Sequence, residues 1–242
     1  MIQIFQKELN SFFDSLIAYL FMGVFLVSIG LFMWVLPGEN VLDAGFADME
    51  TLFSNAPYIL MFLIPAITMR SFADEKKAGT LELLFTKPLR DSEIIAGKFL
   101  ASFAIALFTI LPTLVYYFSI SALGDPVGNL DTSGIIGSYL GLIMLAGVFV
   151  SVGILASSLS DNQIVAFITA IILCYLFYTG FSALAGLETL KPVAETVYQI
   201  GIAYHYSAVS KGLVDSRDLV YFLSVIACAL AATRLVLASR KW

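Results

Sequence analysis

Few side chains in this sequence could take part in chemistry, and they are widely separated. His205 is the only histidine among 242 residues, and both cysteines, Cys174 and Cys228, stand inside apolar runs. A zinc site needs several closely placed nitrogen, sulfur or oxygen ligands. The sequence therefore predicts no metal or cofactor site in this chain, and we interpret the cysteines as small buried apolar residues.

One dipeptide, Gly97-Lys98, is the nearest approach to a phosphate-binding loop. Such a loop needs a glycine five residues before that glycine and a serine or threonine directly after the lysine. Ser92 and Phe99 occupy those two positions. We therefore do not expect this chain to hydrolyse ATP by P-loop chemistry, and any such hydrolysis would have to occur in a partner.

The composition is that of a membrane protein. Hydrophobic residues make up 60% of the chain and charged residues 13%, and the mean hydropathy is +0.92. Soluble domains are about 45–50% apolar and about 25% charged. The net charge of −5 also argues against nucleic acid as a partner, because phosphate binding needs clustered lysine and arginine.

Six nearly charge-free windows predict six membrane-spanning helices, and with them an all-α integral membrane protein. A helix needs roughly 20 apolar residues to cross a bilayer. The chain is interpreted as a single transmembrane domain, residues 1–242, with an interfacial helix at 1–14, spans at 15–36, 51–69, 99–122, 134–158, 163–187 and 218–238, a cytoplasmic coupling loop at 70–98 and an extracytoplasmic segment at 188–217.

The first 14 residues predict an amphipathic helix that lies in the membrane interface. Ile2, Phe5, Leu9 and Phe12 recur at intervals of three and four, with polar residues on the opposite face. An early start of the first span is the alternative. A cleaved signal peptide is not expected, because the apolar run at 16–36 is longer than the roughly 7–15 residues of a signal core.

The distribution of positive charge predicts the orientation of the spans. Ten of the thirteen lysines and arginines fall on the side of the two termini, six of them between spans 2 and 3. Cytoplasmic loops carry an excess of such residues. Both termini and residues 70–98 are therefore expected to be cytoplasmic, and residues 188–217 extracytoplasmic.

The predicted spans carry no charged residue near their middle. Ion-coupled transport by this chain alone is therefore disfavoured, as is a membrane enzyme with an acid–base pair at bilayer depth. Pro57, Pro65 and Pro112 are expected to kink or break spans 2 and 3. In span 4, Gly137 and Gly141 form a GxxxG pair that permits close helix contact, either within the chain or between subunits.

The loop at 70–98 is the part of the sequence best suited to binding a partner protein. Phe72, Leu81, Leu84 and Phe85 offer apolar contacts among dense charge, and Pro88 is expected to end the first helical stretch. A short helix of this kind suits docking into a partner's groove, whereas a solvated loop is the alternative.

The same loop resembles the signature of ABC-2-type transporter permeases. The matching positions are Arg70, Phe72, Glu75, Lys76, Gly79, Thr80, Leu81, Glu82, Leu83, Leu84, Pro88, Glu93, Ile94, Gly97 and Lys98. The resemblance implies that residues 75–84 belong to a coupling helix seated in a cleft of a separate ATPase subunit, which binds ATP and Mg²⁺. It assigns ATPase coupling to Phe72, Glu75, Lys76, Gly79, Thr80, Leu81, Glu82, Leu83 and Leu84.

A second segment is similar to the gliding-motility-associated, GldF-like subgroup of these permeases. The matching residues are Tyr204, His205, Tyr206, Lys211, Gly212, Asp215, Arg217, Asp218, Tyr221 and Phe222. Tyrosines favour a membrane interface, so an interfacial or re-entrant helix near the pore exit is expected. Tyr204, His205, Tyr206 and Lys211 are the candidate gate residues. His205 is interpreted as a packing residue, with pH sensing or substrate contact as alternatives.

By resemblance, the chain is the non-catalytic permease subunit of an ATP-driven exporter in the inner membrane. It would assemble with two ATPase subunits and a second permease subunit, identical or different, among membrane lipids, and an extracytoplasmic accessory subunit is a further candidate partner. Two alternatives stay open: a complex that transmits force or signals without moving a substrate, and an ATP-independent channel or scaffold.

Overall fold

The computed structural model describes residues 1–38, 40–81 and 90–239, and every regular element in these ranges is helical. The helices are α1 (Ile2–Phe13), α2 (Leu16–Trp34), α3 (Val41–Ala44), α4 (Glu50–Thr68), α5 (Arg70–Lys77), α6 (Asp91–Ile110), α7 (Leu114–Leu123), α8 (Thr132–Leu159), α9 (Gln163–Tyr175), α10 (Phe181–Ala185), α11 (Ala194–Ile200), α12 (Ile202–Val209) and α13 (Ser216–Ala238).

Six helical segments of the described chain are long and apolar enough to cross a membrane. They are α2, α4 continued by α5, α6 continued by α7, α8, α9 continued by α10, and α13. A single turn of 3₁₀ helix joins α6 to α7, and a π turn, Leu176–Gly180, joins α9 to α10. The predicted fold class, an all-α integral membrane protein with six spans, is confirmed.

The prolines act differently in the two spans that contain them. Pro112 stands in the 3₁₀ turn Leu111–Thr113, so the third span is interrupted there, as expected. Pro57 and Pro65 instead lie inside α4, which stays helical from Glu50 to Thr68. Helix α6 begins at Asp91, so residues 91–98 at the end of the predicted loop are helical and lead directly into the third span.

Helix α8 is the central helix of the bundle and packs against α4, α6, α9 and α13. Small residues let its neighbours approach closely. A Cβ at Gly153 would lie 2.9 Å from the Cβ of Thr68 in α4, and one at Gly141 would lie 2.9 Å from Cγ1 of Val209 in α12. The glycine face of α8 is therefore occupied within the chain, which answers the question that the GxxxG pair left open.

Different helices meet at the two ends of the bundle. We call one the α5 end, where α1, α5, the start of α6 and the last turn of α8 meet. The other, the far end, contains the starts of α4 and α8 together with α11 and α12. Helix α1 lies along α6 at the α5 end, where a Cβ at Gly97 would come 2.9 Å from Cγ2 of Ile4.

Candidate functional site

One hydroxyl makes three hydrogen bonds that hold the start of α5 against the end of α8. The Ser157 Oγ accepts hydrogen bonds from the backbone N–H groups of Phe72 (3.0 Å) and Ala73 (3.1 Å) and donates one to the carbonyl of Met69 (2.8 Å). The first N–H groups of a helix have no partner within it. Ser157 therefore satisfies two such groups of α5 at the point where the chain turns out of α4.

A buried lysine joins three helices at this end. Lys98 Nζ, on α6, lies 2.9 Å from Oε1 of Glu8 on α1 and 2.9 Å from Oε1 of Glu75 on α5, and it donates to the carbonyl of Ser71 at 2.7 Å. The Lys98 side chain is only 2% exposed. We call Glu8, Glu75 and Lys98 the ionic junction. Lys98 is also the lysine of Gly97-Lys98, the dipeptide compared above with a phosphate-binding loop.

The surroundings of the ionic junction explain why it can be buried. Its ammonium group lies 5.2 Å from the ring centroid of Phe72, within cation–π range. Lys7 approaches the two glutamates at 3.7 and 3.8 Å but is largely exposed, so it contributes little.

Oε2 of Glu75 is buried and has no hydrogen-bond partner among the described residues. Removing one partner from a buried ion pair leaves an uncompensated charge, which costs about 3–5 kcal/mol.

Two further contacts bind the rest of α5 to the bundle. Lys76 Nζ donates to the carbonyl of Ser158 at the end of α8. The Gln163 Nε2 at the start of α9 donates to Oδ1 of Asp74. Through these contacts and Ser157, every turn of α5 is attached to α8 or α9 as well as to its own neighbours in the chain.

Helix α5 ends sooner than the predicted coupling helix. Gly79 has φ +66°, a left-handed conformation that favours glycine. The Thr80 N–H bonds to the Glu75 carbonyl at 3.0 Å, and the Gly79 N–H bonds to the Lys76 carbonyl at 3.1 Å, which is a Schellman helix end. Helix α5 therefore ends at Lys77, so only residues 75–77 of the predicted coupling helix, 75–84, belong to α5.

The predicted coupling residues fall into separate groups. Phe72 is fully buried, and Glu75 and Lys76 bond to other elements of the chain, so these three hold α5 in place. Gly79 and Thr80 are exposed where the helix ends, while Leu81 is buried. Three of the residues, Glu82, Leu83 and Leu84, lie outside the described residues, as does Pro88.

Several residues of this site could not be recognised from the sequence. Glu8 and Ser157 are separated from α5 by more than 60 positions, and no local pattern connects them to it. Gln163 was read only as the start of a span. The one available signal was Lys98, which matched the permease signature but had no assigned role.

At the far end, Tyr206 supplies a hydrogen bond that α4 cannot make within itself. In a regular helix the Phe53 carbonyl would accept from the N–H of residue 57, but that residue is Pro57 and has none. The Tyr206 hydroxyl donates to this carbonyl at 2.6 Å. Burial raises the pKa of Tyr206 well above its ordinary value, so its hydroxyl keeps the proton it donates.

The other gate candidates at the far end separate into two places. The Nδ1 of His205 lies 2.6 Å from Oδ1 of Asp218 on α13, and its ring stacks on Tyr221 with 3.8 Å between centroids. Tyr204 packs edge-to-face on Tyr198 at 5.3 Å. His205 therefore fixes α12 to α13. Lys211, in contrast, lines a cavity, as does Tyr206.

This far-end cavity has a volume of about 720 Å³ and lies between the starts of α4 and α8, the π turn and α12. Its charged lining comprises Asp48, Glu50, Asp131 and Lys211. Tyrosines form much of the wall, with Tyr58 and Tyr178 edge-to-face at 5.8 Å and Tyr178 and Tyr206 at 6.2 Å. The remaining lining residues are mostly serine, threonine and small or apolar side chains. A cavity of this size can hold a drug-sized molecule.

Comparison with protein-family models gives a match over most of the chain. Residues 39–237 match the family model described as ABC-2 family transporter protein. A search of curated proteins found no match. The matched range includes α5, α6 and the far-end cavity, and it begins after α1 and α2, which lie before residue 39. Because the match covers most of the sequence, this multi-pass membrane chain belongs to the ABC-2 family of transporter proteins, a family of membrane transport components.

Proposed function

We propose that the chain is the permease subunit of an ATP-driven ABC-2-type exporter, which forms the translocation path and is moved by a separate ATPase subunit. Family membership supports an ABC transporter permease in general. The geometry of Gly97-Lys98 agrees with the motor being elsewhere. Gly97 packs on Ile4, and the Lys98 ammonium is bound by two carboxylates, so neither is available to cradle a phosphate.

The observation that carries the proposal is the attachment of α5. Residues 78–90 connect α5 to α6, and only Met69 separates α5 from α4. Contacts through Ser157 and Gln163 reach α8 and α9, and the ionic junction reaches α1 and α6. A displacement applied at residues 78–90 would therefore be passed to four spans at once, as a rigid-body coupling element requires.

In this proposal the α5 end faces the cytoplasm of a cell with an inner membrane, with both termini on that side. The bias of positive charge toward the termini supports this orientation. Two ATPase subunits would bind ATP and Mg²⁺, and a second permease subunit, identical or different, would complete the path. The resemblance of residues 204–222 to GldF-like permeases would place the chain in that subgroup of the family. An accessory subunit at the far end would be a further partner.

The experiment that tests the proposal is purification of the tagged chain from native membranes. We expect an ATPase subunit to co-purify and its hydrolysis rate to depend on the permease. Glu82→Lys and Leu84→Asp should abolish association or stimulation while membrane insertion stays intact. The matched far-end variants, Glu195→Lys and Val127→Asp, change exposed residues and should leave both unchanged.

Two results would overturn the proposal. The first is a preparation that contains no ATPase by mass spectrometry. The second is unchanged co-purification and unchanged ATPase rate in both coupling variants. If the ATPase is present and coupled but reconstituted vesicles show no flux of retained compounds, the force-transmitting alternative replaces the exporter.

A further inference from the structure

We propose that the far-end cavity is a binding site for an organic cation that carries an apolar body, such as a quaternary ammonium or phosphonium ion. The proposal names a ligand class for the path and rests on the proposed function only for the idea that the bound ion is transported. Binding itself is inferred from the negative charge of the cavity lining, its tyrosine rings and the unpaired hydroxyl of Tyr178.

The charge that lines the cavity is negative. Asp48, Glu50 and Asp131 contribute carboxylates, against the single ammonium of Lys211. The Asp131 carboxylate accepts hydrogen bonds from the Gly134 N–H at 3.0 Å and the Ser133 hydroxyl at 3.1 Å, and these bonds lower its pKa, the backbone bond most. A cleft lined mainly by one sign of charge concentrates ions of the opposite sign.

The walls suit a cation better than they suit a sugar or an anion. Tyr58 and Tyr178 meet nearly at right angles, with an interplanar angle of 88°, and Tyr178 meets Tyr206 at 62°. All three tyrosines line the cavity. The face of an aromatic ring carries negative electrostatic potential and attracts a cation, more strongly when water is displaced.

Tyr178 gives an independent indication of a ligand. Its side chain is only 6% exposed, it lines the cavity, and its hydroxyl has no hydrogen-bond partner among the described residues. Its ring packs edge-to-face against the rings of Tyr58, Phe149 and Tyr206. A hydroxyl that lines a cavity without a protein partner can turn the lone pairs of its oxygen toward a bound cation.

The test measures equilibrium binding of radiolabelled tetraphenylphosphonium to the full chain in phosphatidylcholine nanodiscs. Empty nanodiscs give the partition background. Tetraphenylborate, an anion of the same shape, is the chemical control. We expect saturable binding of the cation and none of the anion, because the carboxylates and ring faces attract positive charge.

Variants locate the binding. The double variant Asp48→Asn/Glu50→Gln, whose residues lie at the edge of the bundle, should weaken cation binding by about tenfold or more. Asp125→Asn/Glu195→Gln removes two carboxylates at the same end that do not line the cavity and should bind as the unchanged chain does. Tyr178→Leu should weaken binding by about tenfold through loss of the ring and its hydroxyl, whereas Tyr178→Phe, which keeps the ring and loses only the hydroxyl, should weaken binding less.

Absence of saturable binding above empty nanodiscs would overturn the inference. Equal binding of the anion would do the same, as would an affinity that both double variants leave unchanged. The assay contains neither an ATPase nor nucleotide. Its outcome is therefore separable from the co-purification test, and the cavity can bind cations even if the coupling proposal fails.

Discussion

The Tyr206 hydroxyl donates a hydrogen bond to the Phe53 carbonyl at 2.6 Å, across 153 positions of sequence. The carbonyl needs this donor because Pro57 removes the N–H that a regular helix would supply. A side chain of α12 thus completes the hydrogen bonding of α4, so the position of the far-end segment and the continuity of the second span depend on each other.

Tyr206→Phe should lower stability by about 1–3 kcal/mol, because it leaves the buried Phe53 carbonyl without a donor. Pro57→Ala restores an N–H at position 57, so the double variant should lose less stability than the sum of the two single changes. Thermal unfolding in detergent micelles measures all three. Additive losses would show that the two residues do not share this carbonyl.

The same tyrosine predicts a response to alkaline pH. Burial raises the pKa of Tyr206 above the ordinary value of 10.0, so the folded chain holds this proton more tightly than the unfolded chain. Its contribution is fully present below the unfolded pKa and declines as pH rises toward the folded pKa. Melting temperatures measured between neutral pH and the alkaline range should fall less in Tyr206→Phe than in the unchanged chain. Parallel curves would contradict this assignment.

Variants of the ionic junction should lose stability only when they leave a charge without its partner. Lys98→Met should cost about 3–5 kcal/mol, because it leaves the carboxylates of Glu8 and Glu75 buried without their cation. Adding Glu8→Gln and Glu75→Gln to Lys98→Met should recover much of that loss by removing the stranded charges. Lys77→Met, an exposed change on α5, is the control and should be nearly neutral. Failure of the triple variant to recover would indicate that packing, not charge, dominates there.

Ser157→Ala tests the fastening of α5. The change leaves the N–H groups of Phe72 and Ala73 without their acceptor, which should cost about 1–3 kcal/mol. Hydrogen–deuterium exchange of the peptide that contains α5 should accelerate. Ser151→Ala, also buried on α8, removes a hydroxyl that bonds only within its own helix and should leave that peptide unchanged. Equal exchange in the two variants would exclude Ser157 as the fastening residue.

The parts of this structure that the sequence predicts are those set by local composition. Each span follows from a run of apolar residues, because length and hydropathy are properties of the segment itself. The glycines of α8 indicated close packing, but only the structure identifies Thr68 and Val209 as the groups that meet them. Spacing alone says nothing about which helix lies opposite.

The candidate site was less predictable because its bonds join distant positions. The permease signature includes Phe72 and Glu75, but their contacts within the chain depend on Ser157 and Lys98, which lie 85 and 23 positions away. An apolar residue in a charged loop indicates burial somewhere. It does not say whether the groove belongs to a partner or, as for Phe72, to the chain itself.

Because α8 lies so close to α4, alanine substitutions at Gly153 and Gly23 should have different effects on stability. Gly153→Ala would place a Cβ against Oγ1 of Thr68 and 2.9 Å from its Cβ, and the forced separation of the helices should cost about 1–3 kcal/mol. Gly23→Ala on α2 meets no atom within 4 Å and should be neutral or stabilising, since alanine is the better helix former by about 1 kcal/mol. Both melting temperatures are measured in the same detergent. A similar gain in both would mean that α4 and α8 are farther apart in the membrane, and the inward-facing glycines of α8 would then be free to contact another subunit.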